Sequence, residues 1–258
     1  MKVALFQGEG VCAAPDENIE IMRQAASDAA EKGAELIVFP ELFLSGYNLG
    51  AEAASQGEEE GSRNSKRIVD IAQNYAIAVL YGYVEREGER LYISAKLIQR
   101  DGSTLLNHRK CQLFGGFEQS SFQEGSSFEV ARLGDFTLGF LICYEVEFPE
   151  AVRALAAKGA NLVIVLSATS EPYSWVPEVM VPTRALENQI YLVFSNRCGR
   201  EGDLVYCGGS RVVGPDGQVL GALGKEEGLI FAQLETERIA SSRARFDYLS
   251  DLRQDLYR

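Results

Sequence analysis

Thr137-Leu-Gly-Phe-Leu-Ile-Cys143 is an apolar run that leads directly into Tyr144-Glu-Val-Glu-Phe-Pro-Glu150. The run predicts a buried strand that ends at Cys143, with a helix over 150–158 after it. Backbone N–H groups gathered where a helix begins stabilise a thiolate and can also hold an oxyanion, so a thiol here is well placed to act as a nucleophile. Free cysteine is also among the most buried residue types, so on this segment alone a core cysteine is the better interpretation.

Outward from this segment, short apolar runs alternate with amphipathic helical stretches along most of the chain. A sharp turn is predicted at Gly214-Pro-Asp-Gly217, between two strands of a hairpin. The remaining strands are predicted over 2–7, 35–40, 77–84, 91–99, 161–166 and 190–196 and just before Lys110, and the other helices over 18–32, 65–75 and near 182–188.

One junction between a helix and a strand occurs twice. Lys32-Gly-Ala-Glu-Leu-Ile-Val38 is similar to Lys158-Gly-Ala-Asn-Leu-Val-Ile164, and another strand precedes each helix. Two strand-helix-strand units of this kind favour a sandwich of two β-sheets with helices outside, built by pseudo-duplication. Chance similarity between two such junctions explains so short a match equally well. Because no linker or charge block divides the chain, we expect a single domain over 1–258.

Composition narrows the class of protein. The chain has 258 residues, 46% of them hydrophobic, which is enough for one large core, and its net charge of -12 argues against binding to nucleic acid or to an anionic membrane. Five scattered cysteines form no C-x-x-C pair, and His108 is the single histidine, so no metal site is expected. The N-terminus is typical of a first strand, and no stretch approaches the roughly 18 apolar residues of a membrane helix. These features predict a soluble, cytoplasmic protein.

Three predicted strands each end at a residue with reactive chemistry, namely Glu41, Lys110 and Cys143. Strand ends are where α/β folds collect their sites. A carboxylate that takes the thiol proton and an ammonium that stabilises thiolate and oxyanion suit acyl transfer. Taken one at a time, such residues are more often exposed or solvated, and a Cys–His pair with His108 is the other base to weigh.

The chain resembles the nitrilase, or carbon–nitrogen hydrolase, superfamily from about residue 2 to 220. The similarity rests on motifs in a fixed order: Pro40-Glu41 with Gly46-Tyr47, Arg109-Lys110 with Leu113-Phe114, Glu118 with Phe122 and Gly125, Cys143, Phe148-Pro-Glu150, Arg184 with Glu187-Asn188, and Asn196 with Gly199. It implies a four-layer αββα sandwich of two mixed β-sheets flanked by helices. It also implies a Glu41–Lys110–Cys143 triad that works through a thioester, with no metal or organic cofactor.

The resemblance implies further roles around the triad. Glu118 would be a second carboxylate near Lys110 that orients the substrate or the attacking water, and the N–H of Tyr144 would hold the oxyanion together with Lys110. Arg184, Glu187 and Asn188 would form a buried polar network that braces the site. The candidate substrate-binding residues are Tyr47, Glu147, Ala168 and Trp175.

The substrate prediction rests on the residues after the nucleophile. Related carbamoyl-amino-acid hydrolases carry an arginine in this region, whereas this chain has Tyr-Glu-Val-Glu147 and no cation. Glu147 would repel a carboxylate and attract a remote ammonium, unless it forms an internal salt bridge with Arg153. Gly46–Gly50, Tyr206–Gly208 and Tyr248–Leu256 are similar to bacterial 5-aminopentanamide amidases. We therefore expect an amidohydrolase of short aliphatic amides, with 5-aminopentanamide as one candidate.

Other interpretations stay open at this stage. They are a nitrilase, an omega-amidase or N-carbamoyl hydrolase, a binding module with an inactive site, and a redox cysteine. Tyr144 disfavours the nitrilase, because nitrilases of the superfamily usually carry Trp directly after the cysteine.

Two expectations concern the rest of the chain. The resemblance implies a homodimer or higher homo-oligomer in which the helix over 150–158 and the tail 237–258 pack against a second copy. The helical spacing of Leu249, Leu252 and Leu256 in the tail favours the same expectation. The remaining cysteines (Cys12, Cys111, Cys198 and Cys207) are expected in the core.

Overall fold

Two six-stranded sheets form the framework of the protein in a computed structural model, which describes residues 1–244 and 246–256. Arg245, Tyr257 and Arg258 of the predicted tail lie outside the described residues. In chain order the strands are β1 (Lys2–Gln7), β2 (Leu36–Val38), β3 (Ala78–Glu87), β4 (Arg90–Ile98), β5 (Thr104–Arg109), β6 (Val130–Leu133), β7 (Phe136–Ile142), β8 (Leu162–Ser167), β9 (Tyr191–Asn196), β10 (Arg200–Glu201), β11 (Leu204–Val205), β12 (Arg211–Val213), β13 (Val219–Ala222) and β14 (Gly228–Gln233).

Both sheets are mixed. The first has the order β14-β1-β2-β3-β4-β5 and the second β13-β12-β9-β8-β7-β6, while β10 and β11 form a separate two-stranded ribbon. Strands β1, β2 and β3 pair in parallel, as do β7, β8 and β9, and the flanking strands pair antiparallel. The helices are α1 (Pro15–Glu31), α2 (Arg63–Asn74), α3 (Gly115–Ser121), α4 (Pro149–Ala157), α5 (Val181–Asn188), α6 (Thr236–Arg243) and α7 (Tyr248–Asp251).

The apolar clusters show how the layers stack. A central cluster joins inward-facing residues of both sheets, such as Leu36 and Val38 of β2 with Leu138 and Phe140 of β7. A second cluster packs α1 and α2 against the first sheet, and a third packs α4 and α5 against the second. The predicted αββα sandwich of two mixed sheets flanked by helices is therefore confirmed.

The repeated junction noted in the sequence closes the same way in both halves. Gly33 and Gly159 both have positive φ, +73° and +91°. In each case the N–H of the next alanine reaches back to the helix, from Ala34 to the carbonyl of Ala29 (3.0 Å) and from Ala160 to that of Leu155 (3.0 Å). This is the Schellman ending, in which glycine adopts a left-handed conformation at little cost. The two units β1-α1-β2 and β7-α4-β8 thus share local geometry as well as topology.

Two details differ from the sequence predictions. The strand expected over 35–40 is short, Leu36–Val38, since the chain leaves the sheet before Pro40. The leucines of the tail do not share one helix: α7 ends at Asp251 and a separate 3₁₀ turn covers Gln254–Leu256, which leaves Leu249 partly buried and Leu256 65% exposed. Within residues 1–244 and 246–256, no helix has the length and apolar character needed to cross a membrane.

The cysteine prediction is right for two residues and wrong for two. Cys198 and Cys207 are buried. Cys12 is exposed because it lies in the irregular loop between β1 and α1, and Cys111 is half-buried because the chain bends away from the sheet just after β5. Neither segment is an extended strand inside the core.

Candidate active site

Glu41, Lys110 and Cys143 are brought together at one edge of the sandwich. Glu41 follows β2 and Lys110 follows β5, both in the first sheet, whereas Cys143 follows β7 in the second. Strands β3, β4 and β5 pair antiparallel in succession, so β5 runs in the same direction as β3 and β2 and ends at the same edge. Loops at the carboxyl ends of both sheets thus converge on one point, as is typical of α/β sites.

A buried ion network joins the two carboxylates to the lysine. Nζ of Lys110 donates to Oε1 of Glu41 (2.7 Å) and to Oε1 of Glu118 (2.8 Å), and all three residues are fully buried. Glu118 also accepts from the Tyr47 hydroxyl (2.7 Å) and from the N–H of Phe114 (2.7 Å). Since buried charges persist only when they are paired, Glu118 fixes the lysine in place while leaving one carboxylate beside the thiol.

The protonation states suit an acid–base role for Glu41. Burial raises the pKa of Glu41 to about 7; the Lys110 cation opposes this shift and the Glu118 charge reinforces it. Oε2 of Glu41 is buried and has no hydrogen-bond partner among the described residues, although the Cys143 thiol is near enough to influence the pKa of this carboxyl. A carboxyl with a pKa near neutrality and a free oxygen can both take and return a proton.

The other two groups have raised pKa values. Burial, and then the Glu41 charge, raise the pKa of the Cys143 thiol to about 12, against the effect of Lys110. Burial alone would lower the pKa of Lys110, but the charges of Glu41 and Glu118 outweigh it and hold that pKa above its usual range. The resting site therefore contains a neutral thiol and a permanent ammonium. The thiol needs a base to become a nucleophile.

The backbone at Cys143 is unusual. Its φ is +49°, a left-handed value that few residues other than glycine adopt and that clusters at functional sites. A short 3₁₀ turn over Cys143–Glu147 follows β7, and α4 begins at Pro149, one residue before the helix predicted over 150–158. The N–H of Tyr144 lies in the first turn of this segment, where backbone donors have no preceding turn to bond to.

A cavity of about 530 Å³ opens in front of the thiol. Tyr47, Glu147, Ala168 and Trp175, the four candidate substrate-binding residues, all line it together with Cys143 and Tyr144. The lining residues that sequence reasoning missed are Asn48, Phe114, Gly115, Gly116, Phe117, Thr169, Ser170, Tyr173 and Leu204.

Aromatic rings form much of the cavity wall. Phe114 contacts Tyr144 and Tyr173 edge-on at centroid distances of 5.2 and 6.0 Å, and Tyr173 contacts Trp175 at 5.3 Å. Glu147 is the one charged residue among the described lining residues, and none of them is Arg or Lys. The cavity lining is therefore mostly apolar, with Glu147 as its single acidic side chain among the described residues.

Glu147 does not form the salt bridge considered as its alternative. Within the described structure Arg153 donates to the carbonyl of Glu187 (2.8 Å), not to Glu147. Burial raises the pKa of Glu147, while the charges of Lys110 and Arg184 lower it. Glu147 therefore lines the cavity without an ion pair to Arg153.

The predicted polar network behind the site is present, but only Arg184 and Asn188 are buried and Glu187 is half-buried. Arg184 donates to the carbonyls of Val146 (3.1 Å) and Glu147 (2.8 Å) and pairs with Glu187 (3.2 Å), and Asn188 donates to the carbonyl of Arg184 (2.9 Å). The two bonds to the carbonyls of Val146 and Glu147 tie α5 to the 3₁₀ turn that carries Tyr144 and Glu147, and the other two bonds lie within α5.

Two further polar groups near the nucleophile gave no clear signal in the sequence. Thr169 places its Oγ1 3.7 Å from Sγ of Cys143. Glu145 is fully buried and approaches His108 and Cys111, so that possible ligand atoms of the three lie within 4.8 Å of one another. Both oxygens of Glu145 already accept hydrogen bonds, so we assign no metal to this cluster. Only its position two residues after the cysteine could have pointed to Glu145.

Comparison with known proteins agrees with this geometry. The model of the carbon–nitrogen hydrolase family matches residues 2–244, and the chain belongs to that family. A protein described as a hydrolase in the pqqF 5′ region of Pseudomonas protegens is 41% identical over 260 residues, covering 100% of this chain and 90% of the relative. An (R)-stereoselective amidase from a Pseudomonas species is 36% identical over 220 residues, covering 85% of this chain and 80% of the relative.

Solved structures give the same result. An amidase from Nesterenkonia sp. AN1, studied as a mutant in complex with butyramide, superposes with a TM-score of 0.91 at 39% identity, covering 100% of this chain and 95% of that one. Another mutant of that amidase shows the Michael addition of acrylamide at its active site cysteine. The family prediction is confirmed, and the amidases among the relatives support the expectation of an enzyme that hydrolyses amides.

Proposed function

We propose that the protein is an amidohydrolase that cleaves the terminal carboxamide of a short aliphatic amide to an acid and ammonia. Cys143 is the nucleophile, Glu41 the general acid–base, and Lys110 with the N–H of Tyr144 the oxyanion site. The observation that carries the proposal is the fully buried Glu41–Lys110–Glu118 network beside the thiol of Cys143, which itself lines an apolar cavity. Charges held in this way act in a low dielectric without reorganising during the reaction.

In each step of the proposed reaction, Glu41 accepts or returns the proton that is transferred. Glu41 takes the thiol proton as Sγ of Cys143 bonds to the amide carbon, and the carbonyl oxygen becomes an oxyanion facing Lys110 and the N–H of Tyr144. The oxyanion collapses, the carbon–nitrogen bond breaks, and ammonia leaves with the proton from Glu41. Water then loses a proton to Glu41 and attacks the thioester, which releases the acid and returns the proton to the thiol. Glu118 stays paired with Lys110 and orients the lysine and the substrate.

For the finer substrate class we propose amides that carry a remote ammonium, with 5-aminopentanamide as the candidate. Glu147 supplies the one acidic group of the cavity lining described above, and no described lining residue offers a cation for a carboxylate. The aromatic wall supports this choice, because ring faces attract cations as well as alkyl chains. Tyr47, Ala168 and Trp175 would contact the chain of the substrate.

Ammonia release from a set of short amides tests the activity. We expect turnover of butyramide and of 5-aminopentanamide, and none with Cys143→Ala. Cys198→Ser is the matched control, because Cys198 is buried but does not line the cavity. Ammonia release by Cys143→Ala at the wild-type rate would rule out the thioester mechanism.

Three other functions are distinguished when butyronitrile and substrates that carry a carboxylate are added to this set of compounds. A nitrilase would prefer butyronitrile to butyramide, an omega-amidase or N-carbamoyl hydrolase would prefer substrates with a carboxylate, and a binding module would release no ammonia. Among the described residues, the cavity lining is acidic and contains no arginine, which disfavours the carboxylate substrates.

The domain count, the oligomeric state and the cellular location remain predictions. They comprise the single domain over 1–258, the tail 237–258 at a subunit interface of a homodimer or higher oligomer, and the cytoplasmic location. Gln189 supports a docked tail, because its side chain bonds to the carbonyl of Phe246 (2.8 Å) and to the N–H of Tyr248 (3.0 Å).

A further inference from the structure

Glu145 is a fully buried carboxylate that contacts both reactive segments without lining the cavity. Its Oε2 accepts the N–H of Ile142 (2.6 Å), the residue before Cys143. Its Oε1 accepts the N–H of Cys111 (2.7 Å), the residue after Lys110. One side chain thus holds the backbone next to the nucleophile and the backbone next to the lysine.

The two segments belong to different sheets, which makes this contact unusual. Lys110 bonds to the first sheet through its N–H to the carbonyl of Ile93 (2.8 Å), and the next donor, on Cys111, is the one that Glu145 accepts. In the second sheet β6 pairs with β7 only as far as Gly139, so Ile142 lies beyond the edge strand. Glu145 therefore satisfies a backbone donor at the end of each strand and links the ends to each other.

His108 completes the arrangement. Its Nε2 lies 2.8 Å from Oε2 of Glu145, and its ring stacks on Phe128 with a centroid distance of 5.8 Å. His108 is on β5, so this bond also joins the lysine strand to the turn after the nucleophile. With three partners in fixed directions, the Glu145 carboxylate has little freedom to rotate.

We propose that Glu145, held by His108, is a positioning residue that sets the spacing between Lys110 and Cys143. The inference rests on the proposed function, since it concerns the geometry of that reaction. A misplacement of about 1 Å in a reacting group can cost roughly 100-fold in rate. Because Glu145 lies outside the cavity lining, its loss changes the rate of the chemical step and leaves substrate binding nearly intact.

Glu145→Gln is the main test. The amide keeps the shape of the side chain, but it has one acceptor oxygen, so its NH₂ group must face the N–H of Ile142 or of Cys111. We expect kcat for butyramide to fall about 10- to 100-fold with KM within about two-fold of wild type, measured well below the unfolding temperature. A merely structural residue would lower the unfolding midpoint without this separation of kcat from KM.

Asn161→Ala is the matched control. Asn161 accepts the N–H of Thr137 (2.9 Å) at the opposite end of the nucleophile strand, far along β7 from Cys143. This variant removes a comparable bond from a side chain to the same strand. It is expected to lower the thermal midpoint and to leave kcat and KM unchanged.

His108→Phe keeps the stacking on Phe128 and removes only the bond to Glu145. We expect a smaller loss of kcat, again at constant KM. A folded Glu145→Gln variant with kcat within two-fold of wild type overturns the proposal. If Glu145→Gln does not fold, His108→Phe becomes the deciding variant. An unchanged kcat in His108→Phe then overturns the proposal.

The Cys143→Ala variant separates the two proposals. If it still releases ammonia, the proposed function fails. If it is inactive while a folded Glu145→Gln retains its kcat, only the positioning role fails.

Discussion

Replacement of Glu147 by Gln tests substrate recognition, because Glu147 is the single charge among the described residues that line the cavity. At about 5 Å from a substrate ammonium, the attraction is roughly 0.8 kcal/mol in bulk water and about 3 kcal/mol at an effective dielectric of 20. Glu147 is half-buried at an open cavity, so the screened end of this range applies. A value of about 1 kcal/mol corresponds to roughly a five-fold preference in kcat/KM.

The assay is ammonia release from matched amides of equal chain length. 5-Aminopentanamide carries an ammonium, pentanamide is neutral, and the monoamide of glutaric acid carries a carboxylate. For the wild type, kcat/KM is expected to decrease in that order. The preference for the cationic amide should shrink as the salt concentration rises from about 0.05 to 0.5 M. Glu147→Gln is expected to give similar kcat/KM values for the three amides, with little change in kcat/KM for pentanamide.

Glu150→Gln is the matched control for charge, since Glu150 is exposed at the start of α4 and does not line the cavity. It removes the same charge three residues away and should leave the ranking as it is. If Glu147→Gln keeps the wild-type preference for the cationic over the anionic amide, Glu147 does not recognise the substrate. The substrate class would then be a broad range of aliphatic amides.

Three other predictions concern the triad and the assembly. Cys143→Ala, Lys110→Ala and Glu41→Gln are each expected to retain less than about 1% of wild-type turnover while their circular dichroism spectra stay native, and a variant above a tenth of wild type would contradict the assignment. Because the base must be ionised and the pKa of Glu41 is about 7, kcat/KM is expected to fall as the pH drops through 7, and a flat pH profile between about 5 and 9 would be inconsistent with this base. Sedimentation at micromolar concentration is expected to show at least a dimer that deletion of residues 246–258 weakens, whereas a monomeric wild type would exclude the interface.

The sequence predicted the layers of the fold because the signals for them are local. The apolar run into Cys143 and the two similar helix–strand junctions each specify an element and its ending within a few residues. Elements whose form depends on tertiary contacts were less predictable. The tail leucines have helical spacing, yet α7 stops at Asp251, and Leu249 is partly buried against the core cluster of α4 and α5.

The same distinction holds for the site. Glu41, Lys110 and Cys143 could be found because each follows a predicted strand and matches an ordered motif. Glu145 could not be found, because its importance lies in contacts with Cys111 and Ile142, two backbone groups from different sheets. Of the aromatic wall, Trp175 was predicted, whereas Phe114 and Tyr173 were missed for a similar reason, since they come from separate loops.

The protonated state of Cys143 at rest has a consequence for the durability of the enzyme. Peroxides and general alkylating agents attack thiolates, and a thiol whose pKa is about 12 offers almost no thiolate at neutral pH. Sulfenic acid formation should therefore be slow, although the sulfur borders an open cavity. Glu41 must remove the thiol proton before Cys143 can attack a bound carbonyl. We therefore expect Cys143 to be oxidised more slowly between turnovers than a thiol of ordinary pKa.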